Sequence, residues 1–314
     1  MSVLVVGSVA LDSVVTPMGE ASRVVGGSAV FFAAAASIFC PVQVVGVVGD
    51  DYPMDSLDFL TARNVDLSGV EHAAGESFHW AGVYSRDMND RDTVETKLGV
   101  FADFEPHIPE SFRDARIVFL GNIDPTLQLE VLKQVKEPAL VACDTMDYWI
   151  NGKRDELLEL LQRVDILLVN DLEAKLLAEE SNLVKAARWI QEQGPDMVVV
   201  KKGEHGAILF GSDTTFFAPG YPLEELVDPT GAGDAFAGGF LGCLAAQSVH
   251  EIDDYRRAMI YGSVTGSFAA EDFSVDRFVT LDFEDIAHRV REFRQMTAFE
   301  HNLEPIEEPK VHHV

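Results

Sequence analysis

Asp228-Pro229-Thr230-Gly231-Ala232-Gly233-Asp234 runs straight into the helical pattern AFAGGFLGCLAA. Two glycines flanking an alanine at a helix start leave consecutive backbone N–H groups uncovered, and the helix dipole favours an anion in front of them. Asp234 falls in the first helical turn, within reach of whatever those amides hold. A carboxylate beside an anion hole suits general-base work on a hydroxyl that attacks a phosphoryl group. No GxxxxGK[ST] string occurs in the chain, which excludes a Walker A loop. A dinucleotide-binding fingerprint also fails, because helices follow where a second strand and a later acid are required. On the residues alone, a structural helix start with Gly238 and Gly239 for close packing competes with the anion hole.

Other candidates stand at strand ends. Asn170 and Glu173, three apart, fit a helix cap with its capping-box partner. Asp12 is a lone acid after the first strand, where a turn residue is the ordinary reading. Lys202 offers a point charge for phosphate, with surface solvation as the ordinary alternative. The cluster of Asp87, Asn89 and Asp90 lacks the glycine of a calcium-binding EF-hand loop and reads as a solvated turn. His312 and His313 read as incidental rather than as metal ligands.

These residues belong to a chain of 314 residues with 47% hydrophobic and 24% charged side chains, an ordinary globular composition of one large or two smaller domains. Its 52 acidic against 24 basic side chains give a net charge of −28. That field repels phosphate backbones and anionic lipid, so nucleic acid and membrane partners are excluded. Lysine is scarce among the bases, at 9 against 15 arginines. The surplus acid fits a salt-rich cytoplasm or an ordinary acidic enzyme equally. Either way, an anionic ligand would need local amides, lysine or metal. Cys40, Cys143 and Cys243 lie far apart among apolar neighbours and read as buried free thiols in a reducing, cytoplasmic compartment. The amino terminus reads as a first strand rather than a signal peptide, and Pro41 splits the long apolar stretch 26–49 into helix and strand.

The elements that must position these groups alternate short β-branched runs with amphipathic segments, the pattern of an α/β fold with a mostly parallel sheet. Strands are expected at 3–9, 42–48, 117–120, 139–143, 166–169 and 197–200, with a hairpin at 208–210 and 214–218. Helices are expected at 55–63, 125–135, 154–161 and 184–193, then in succession at 232–247, 253–268 and 283–299. Residues 67–104 break the alternation and read as a small inserted β-sheet, which could cover a site as a lid or be a surface hairpin.

DPTGAGD resembles the signature of the ribokinase-like (PfkB) family of sugar and nucleoside kinases. The likeness extends to Gly7-Ser8 with Asp12, the Gly26-Gly27 pair, the VGVVGDD run ending at Asp51, Asn170-Asp171-Leu172-Glu173, and Gly203 and Gly206. It implies a three-layer α/β/α kinase domain over residues 1–300, with the β lid at about 67–104 and a flexible tail over 301–314. It implies Asp234 as catalytic base with Gly231, Ala232 and Gly233 as anion hole. Asn170 and Glu173 would organise Mg2+ through water. Asp12, Gly26 and Gly27 would hold the substrate. Lys202, Gly203 and Asp228 would join Gly231 and Gly233 around ATP, and the loop 269–277 would enclose adenine and, in some relatives, a monovalent cation. The implied reaction moves the γ-phosphate of ATP to a primary hydroxyl of a ribose-containing substrate, a nucleoside in preference to a free or phosphorylated sugar. A non-catalytic sugar or nucleotide sensor is the rival from another class. Where ribokinases resemble GGKGAN, this chain reads Gly26-Gly27-Ser28-Ala29-Val30-Phe31-Phe32; with Phe78, Trp80 and Tyr84, those aromatics could stack on a base or be plain core. Lid strands could also pair two copies into a homodimer.

Overall fold

Valine-rich runs with no polar face need cover on both sides, and such runs form the centre of a nine-stranded sheet. The computed structural model describes residues 1–247 and 251–298. In chain order the strands are β1 (Val3–Val6), β2 (Ala10–Thr16), β3 (Gly19–Gly26), β4 (Val42–Val48), β5 (Val65–His72), β6 (Phe78–Tyr84), β7 (Arg91–Lys97), β8 (Ile117–Leu120), β9 (Leu140–Asp144), β10 (Ile166–Asn170), β11 (Met197–Lys201), β12 (Ala207–Phe210) and β13 (Thr215–Ala218). The large sheet has the order β13-β12-β11-β10-β9-β8-β1-β4-β5. Every pair from β11 to β5 is parallel, and the β12–β13 hairpin adds antiparallel edge strands.

Strand alternation divides the core in two. Val3 and Val5 join the layer that contains helices Ser28–Ala36, Ala232–Ala245 and Ile252–Ala269. Leu4 and Val6 face the opposite layer, with helices Pro125–Leu132, Arg154–Leu161, Asp171–Ala178 and Leu183–Glu192. The glycines of the AFAGGFLGC pattern allow close helix packing: a Cβ on Gly242 would lie 3.2 Å from the Ala36 carbonyl oxygen, and one on Gly238 would strike that of Phe32.

The small sheet, β3-β2-β6-β7, differs from the expected insertion. Half of it comes from residues 10–26, because the first strand ends at Val6 and the chain leaves the main sheet at Gly7. Residues 67–72 belong to the main sheet, where β5 supplies the parallel partner that the β4 edge needs. The β2–β6 pair is parallel and the flanking pairs antiparallel, so the lid sheet is mixed. The stretch expected as one helix at 55–63 is a 3-10 turn, Met54–Leu57, followed by a short helix, Asp58–Thr61. A short helix at Asp276–Thr280 was not anticipated. All three cysteines are free and buried, and burial pushes the Cys40 thiol up to about 12. Among the described residues no helix is long and apolar enough to cross a membrane. The expected tail at 301–314 lies outside the described residues.

Candidate active site

Parallel strands deliver their last residues to one edge of the sheet, and in such folds that edge is where ligands bind. Asp144 closes β9, Asn170 closes β10 and Lys201 closes β11. The register sets Asn170 opposite Lys201, and Asp144 opposite Leu168, two residues before Asn170. Lys201 Nζ reaches across to Asp144 Oδ2 at 2.8 Å.

The GAG turn meets this edge. Gly231 adopts φ 74°, a left-handed conformation that glycine adopts without strain, and any Cβ there would collide with the Phe31 ring beneath it. A Cβ on Gly233 would lie 3.1 Å from Lys201 Nζ. The Ala232 amide donates to the Pro229 carbonyl, whereas those of Gly231 and Gly233 find no acceptor among the described residues. Of the three consecutive amides expected to form an anion hole, two are therefore left without an acceptor. Asp234 stands in the first turn of the helix. Burial pushes its pKa up to about 7; the Asp144 charge adds to the rise, while Lys201 and Arg91 oppose it.

The lid forms the other wall. Asp12 lies on β2 and is only 6% exposed. Burial lifts its pKa to about 7, Asp228 adds to that, and a hydrogen bond from the Gly27 amide works against it. Gly26 and Gly27 are forced: a Cβ on the first would strike the Asp12 carboxylate, and one on the second would strike the Ser8 carbonyl. The Asp228 carboxylate accepts from the Thr230 amide at 2.9 Å. Across the lid, the Thr230 hydroxyl donates to that of Tyr84 at 3.1 Å, and the Arg91 guanidinium stands 5.3 Å from the Trp80 ring centre. At the lid tip, Asn89 Oδ1 is 3.9 Å from where a Cβ on Gly203 would project, so lid and main sheet meet over the edge.

The sequence profile of pfkB family carbohydrate kinases matches residues 2–279. The chain belongs to that family. It is 33% identical over 248 residues to the cytidine kinase of Thermococcus kodakarensis, covering 77% of this chain and 87% of the relative. It is 30% identical over 253 residues to an ATP-dependent ribose-1-phosphate kinase of Halopiger xanaduensis, covering 78% and 80%. Among solved structures, the Burkholderia thailandensis nucleoside kinase in complex with inosine superimposes with a TM-score of 0.75 at 20% identity, over 92% of this chain and 98% of that one. An Escherichia coli putative ribokinase II in complex with ATP and Mg2+ gives 0.75 at 21%, over 94% and 99%. The protein is thus a phosphotransferase with an alcohol group as acceptor.

Within this pfkB-family fold, Asp12, Gly26, Gly27, Asp228, Gly231, Gly233 and Asp234 lie on the two facing walls, with Asp228 and Asp234 close enough for their charges to act on Asp12. Asn170 and Glu173 form the capping box in full: the Glu173 amide donates to Asn170 Oδ1 at 2.7 Å and the Asn170 amide to Glu173 Oε2 at 2.8 Å. The cap does not remove Glu173 from the site, since burial and then the Asp144 charge lift its pKa to about 7. Lys202 uses its backbone amide on the Gly206 carbonyl, and it is the neighbouring Lys201 whose ammonium enters the cluster. Phe31 and Phe32 are core, at 1% and 0% exposure, with Phe32 stacked on Phe119 at 4.5 Å; they cannot stack on a ligand. Phe78 stacks on Phe101 instead. The sequence reading missed Asp144, Lys201 and Arg91. The signal available for the first two was a charge at the last position of an apolar strand. A cavity of about 470 Å3 lies elsewhere; its Glu71, Glu76, Asp103 and Glu105 make it unsuited to an anionic nucleotide.

Proposed function

We propose that this kinase transfers the γ-phosphate of ATP to the primary hydroxyl of a nucleoside, with Asp234 taking the hydroxyl proton. The observation that carries this reading is Asp234 itself: a buried carboxylate poised near neutrality in the first turn of the helix whose start offers the free Gly231 and Gly233 amides. The acceptor oxygen forms its bond to the γ-phosphorus as the bond to the leaving ADP oxygen breaks. The two amides hold the phosphoryl oxygens in line and absorb charge that develops on them. Asp12 accepts hydrogen bonds from ribose hydroxyls, for which a carboxylate has several acceptor positions. Gly26 and Gly27 let backbone approach the sugar, and Trp80 on the lid offers a ring face to the base. The Tyr84–Thr230 contact helps to keep water out while the lid is down.

Hard oxygen donors suit Mg2+, and Glu173 retains Oε1, which accepts no hydrogen bond from the described residues. Asn170 and Glu173 would hold the ion through water, where it would neutralise charge on the nucleotide phosphates. Lys202 and Gly203 would flank the nucleotide. The loop 269–277 brings its own charge balance, with Glu271 paired to Arg277 and Arg289. The buried, reduced thiols support a cytoplasmic setting.

A second reading, phosphorylation of ribose 1-phosphate, is favoured by the Halopiger relative and by the loss of Phe31 and Phe32 as base-stacking groups. ADP release with Mg2+-ATP, measured across the common nucleosides, ribose and ribose 1-phosphate, separates the two. Turnover on a nucleoside with none on ribose 1-phosphate supports the first reading; the reverse pattern replaces it with the second. Magnesium-dependent turnover on any acceptor also disposes of a silent sensor. Repeating the assay with sodium, potassium or a bulky organic cation reads any monovalent cation requirement.

A further inference from the structure

We propose that Lys201 is a catalytic residue of the phosphoryl transfer, donating hydrogen bonds to the transferring group, and that Asp144 is the positioning residue that aims it. The proposal rests on the kinase activity and holds for either acceptor.

Lys201 is the last residue of β11, and its side chain is 17% exposed, against 7% for its partner Asp144 two strands away. A buried ion pair is weak evidence for stability, because removing both charges from water offsets most of their attraction. The neighbourhood is also unbalanced. Burial works against the charge of this one ammonium, and Asp144, Glu173 and Asp234 together more than offset it, so that its pKa is raised. Three carboxylates against one cation is an arrangement that gains from further positive charge, or from protonation of a carboxylate, not from an additional bare anion. An incoming phosphoryl group therefore needs a donor already in place.

The geometry supplies that donor. An ammonium has three N–H bonds, and this one spends a single hydrogen bond, on Asp144 Oδ2 at 2.8 Å. Its nitrogen stands 3.1 Å from where a Cβ on Gly233 would be, flush against the turn whose amide is free. A phosphoryl oxygen held by the Gly233 amide would lie within reach of the remaining N–H groups. Any side chain at 233 would crowd the same space. Asp144 is itself held fast. Its Oδ1 accepts from the Thr145 amide at 2.8 Å, and its carbonyl accepts from Gln128 Nε2 at 3.1 Å. The ammonium thus has one fixed anchor and two free donors facing the anion hole. No proton moves to or from Lys201: the acceptor hydroxyl gives its proton to Asp234, and the leaving oxygen departs with ADP.

Three variants, Lys201→Met, Asp144→Asn and the double, test this against the wild type in one assay, with kcat and both KM values measured and the fold checked by circular dichroism. The expected result is a loss of roughly 10²–10³-fold in kcat for Lys201→Met, with acceptor KM within about threefold, the scale of one missing transition-state donor. The double variant removes both members of the Lys201–Asp144 pair, so Asp144 is not left behind as a stranded buried charge, and it carries the test if Lys201→Met alone fails to fold. It is expected to lose as much as Lys201→Met and no more, because Asp144 acts through Lys201. A double variant within about fivefold of wild-type kcat would show that the pair is only structural and overturn the proposal. Losses that multiply between the two sites would overturn the positioning role of Asp144. Wild-type turnover in the same assay keeps either failure distinct from failure of the kinase reading.

Discussion

At the end of the cleft proposed to receive the phosphoryl group, Asp144, Glu173 and Asp234 share the ammonium of Lys201, and each stands at a strand end or in a first helical turn of the main domain. At the acceptor end, Asp12 rides on a lid strand beside Asp228, and among the described residues neither carboxylate has an ammonium or guanidinium within ion-pair distance. Both ends are acidic and buried, yet only one holds a countercharge in direct contact; at Asp12 the Arg91 guanidinium acts from a distance and as the smallest of the influences. On the proposed function, the difference follows what each end receives. Phosphate arrives as an anion and has to find positive charge and amides in place. A sugar arrives as a set of O–H donors, and for those an unpaired buried carboxylate is the right acceptor. A net charge of −28 is compatible with an anionic nucleotide because the compensation is confined to one small region.

The most severe way to test the contrast is to remove the base. Asp234→Asn keeps size and hydrogen-bonding capacity and deletes the proton acceptor. Turnover is expected to fall about 10²- to 10⁴-fold, with acceptor binding by calorimetry little changed. Near-normal kcat in a folded variant would place the base elsewhere. A smaller effect is expected at the other end. Asp12→Asn replaces charged acceptors with one neutral oxygen, and a charge-assisted hydrogen bond contributes about 1.5–3 kcal/mol. Acceptor KM should rise roughly 10- to 100-fold while ATP KM stays put. An equal rise in both would mean that the two ends are not separate.

The phosphoryl end was readable where its residues are contiguous. Asp228 to Asp234, and Asn170 with Glu173, are local strings whose helix-start geometry follows from residue type. Asp144 and Lys201 were not readable, because their pairing spans 57 residues and exists only once β9, β10 and β11 are in register. The acceptor end suffered more from the same cause. The β2–β3 hairpin has no partner sheet until β6 joins it from more than fifty residues away, so Asp12 looked like a turn residue after the first strand. Phe31 and Phe32 misled for a local reason. All nine residues of Ser28–Ala36 are buried, so this helix has no exposed face from which an aromatic could reach a ligand.

The two ends also share a stability cost that pH can expose. Asp12 and Asp234 rise from the usual 3.8 to about 7 in the folded protein. Between about pH 4 and pH 7 the native state therefore binds more protons than the unfolded chain. Stability contributed by these groups is fully present below pH 4 and is lost as pH rises through 7. Asp12→Asn and Asp234→Asn should each melt about 3–6 °C above wild type at pH 8, a gain that shrinks towards pH 5, as read by thermal unfolding at both values. If Asp12→Asn gains nothing at pH 8, the carboxylate is not paying for burial, and the claim that the acceptor end lacks a countercharge in direct contact fails.

The smallest effect sharpens the contrast within a single dipeptide. Lys201 faces inward to Asp144, while Lys202 follows the strand end with only its backbone engaged among the described residues, its amide donating to Gly206 and its carbonyl accepting from His205. Lys202 is half-buried and has no ion-pair partner among the described residues; a lysine that acts on nucleotide phosphates from such a position, partly open to solvent, does so as a screened point charge. Lys202→Met should therefore raise ATP KM only about two- to threefold at low salt, leave kcat unchanged, and become indistinguishable from wild type at about 1 M salt, where the Debye length is about 3 Å. A salt-independent loss of kcat at Lys202 would instead show that its ammonium enters the closed site, and that positive charge at the phosphoryl end is divided between two lysines rather than concentrated on Lys201.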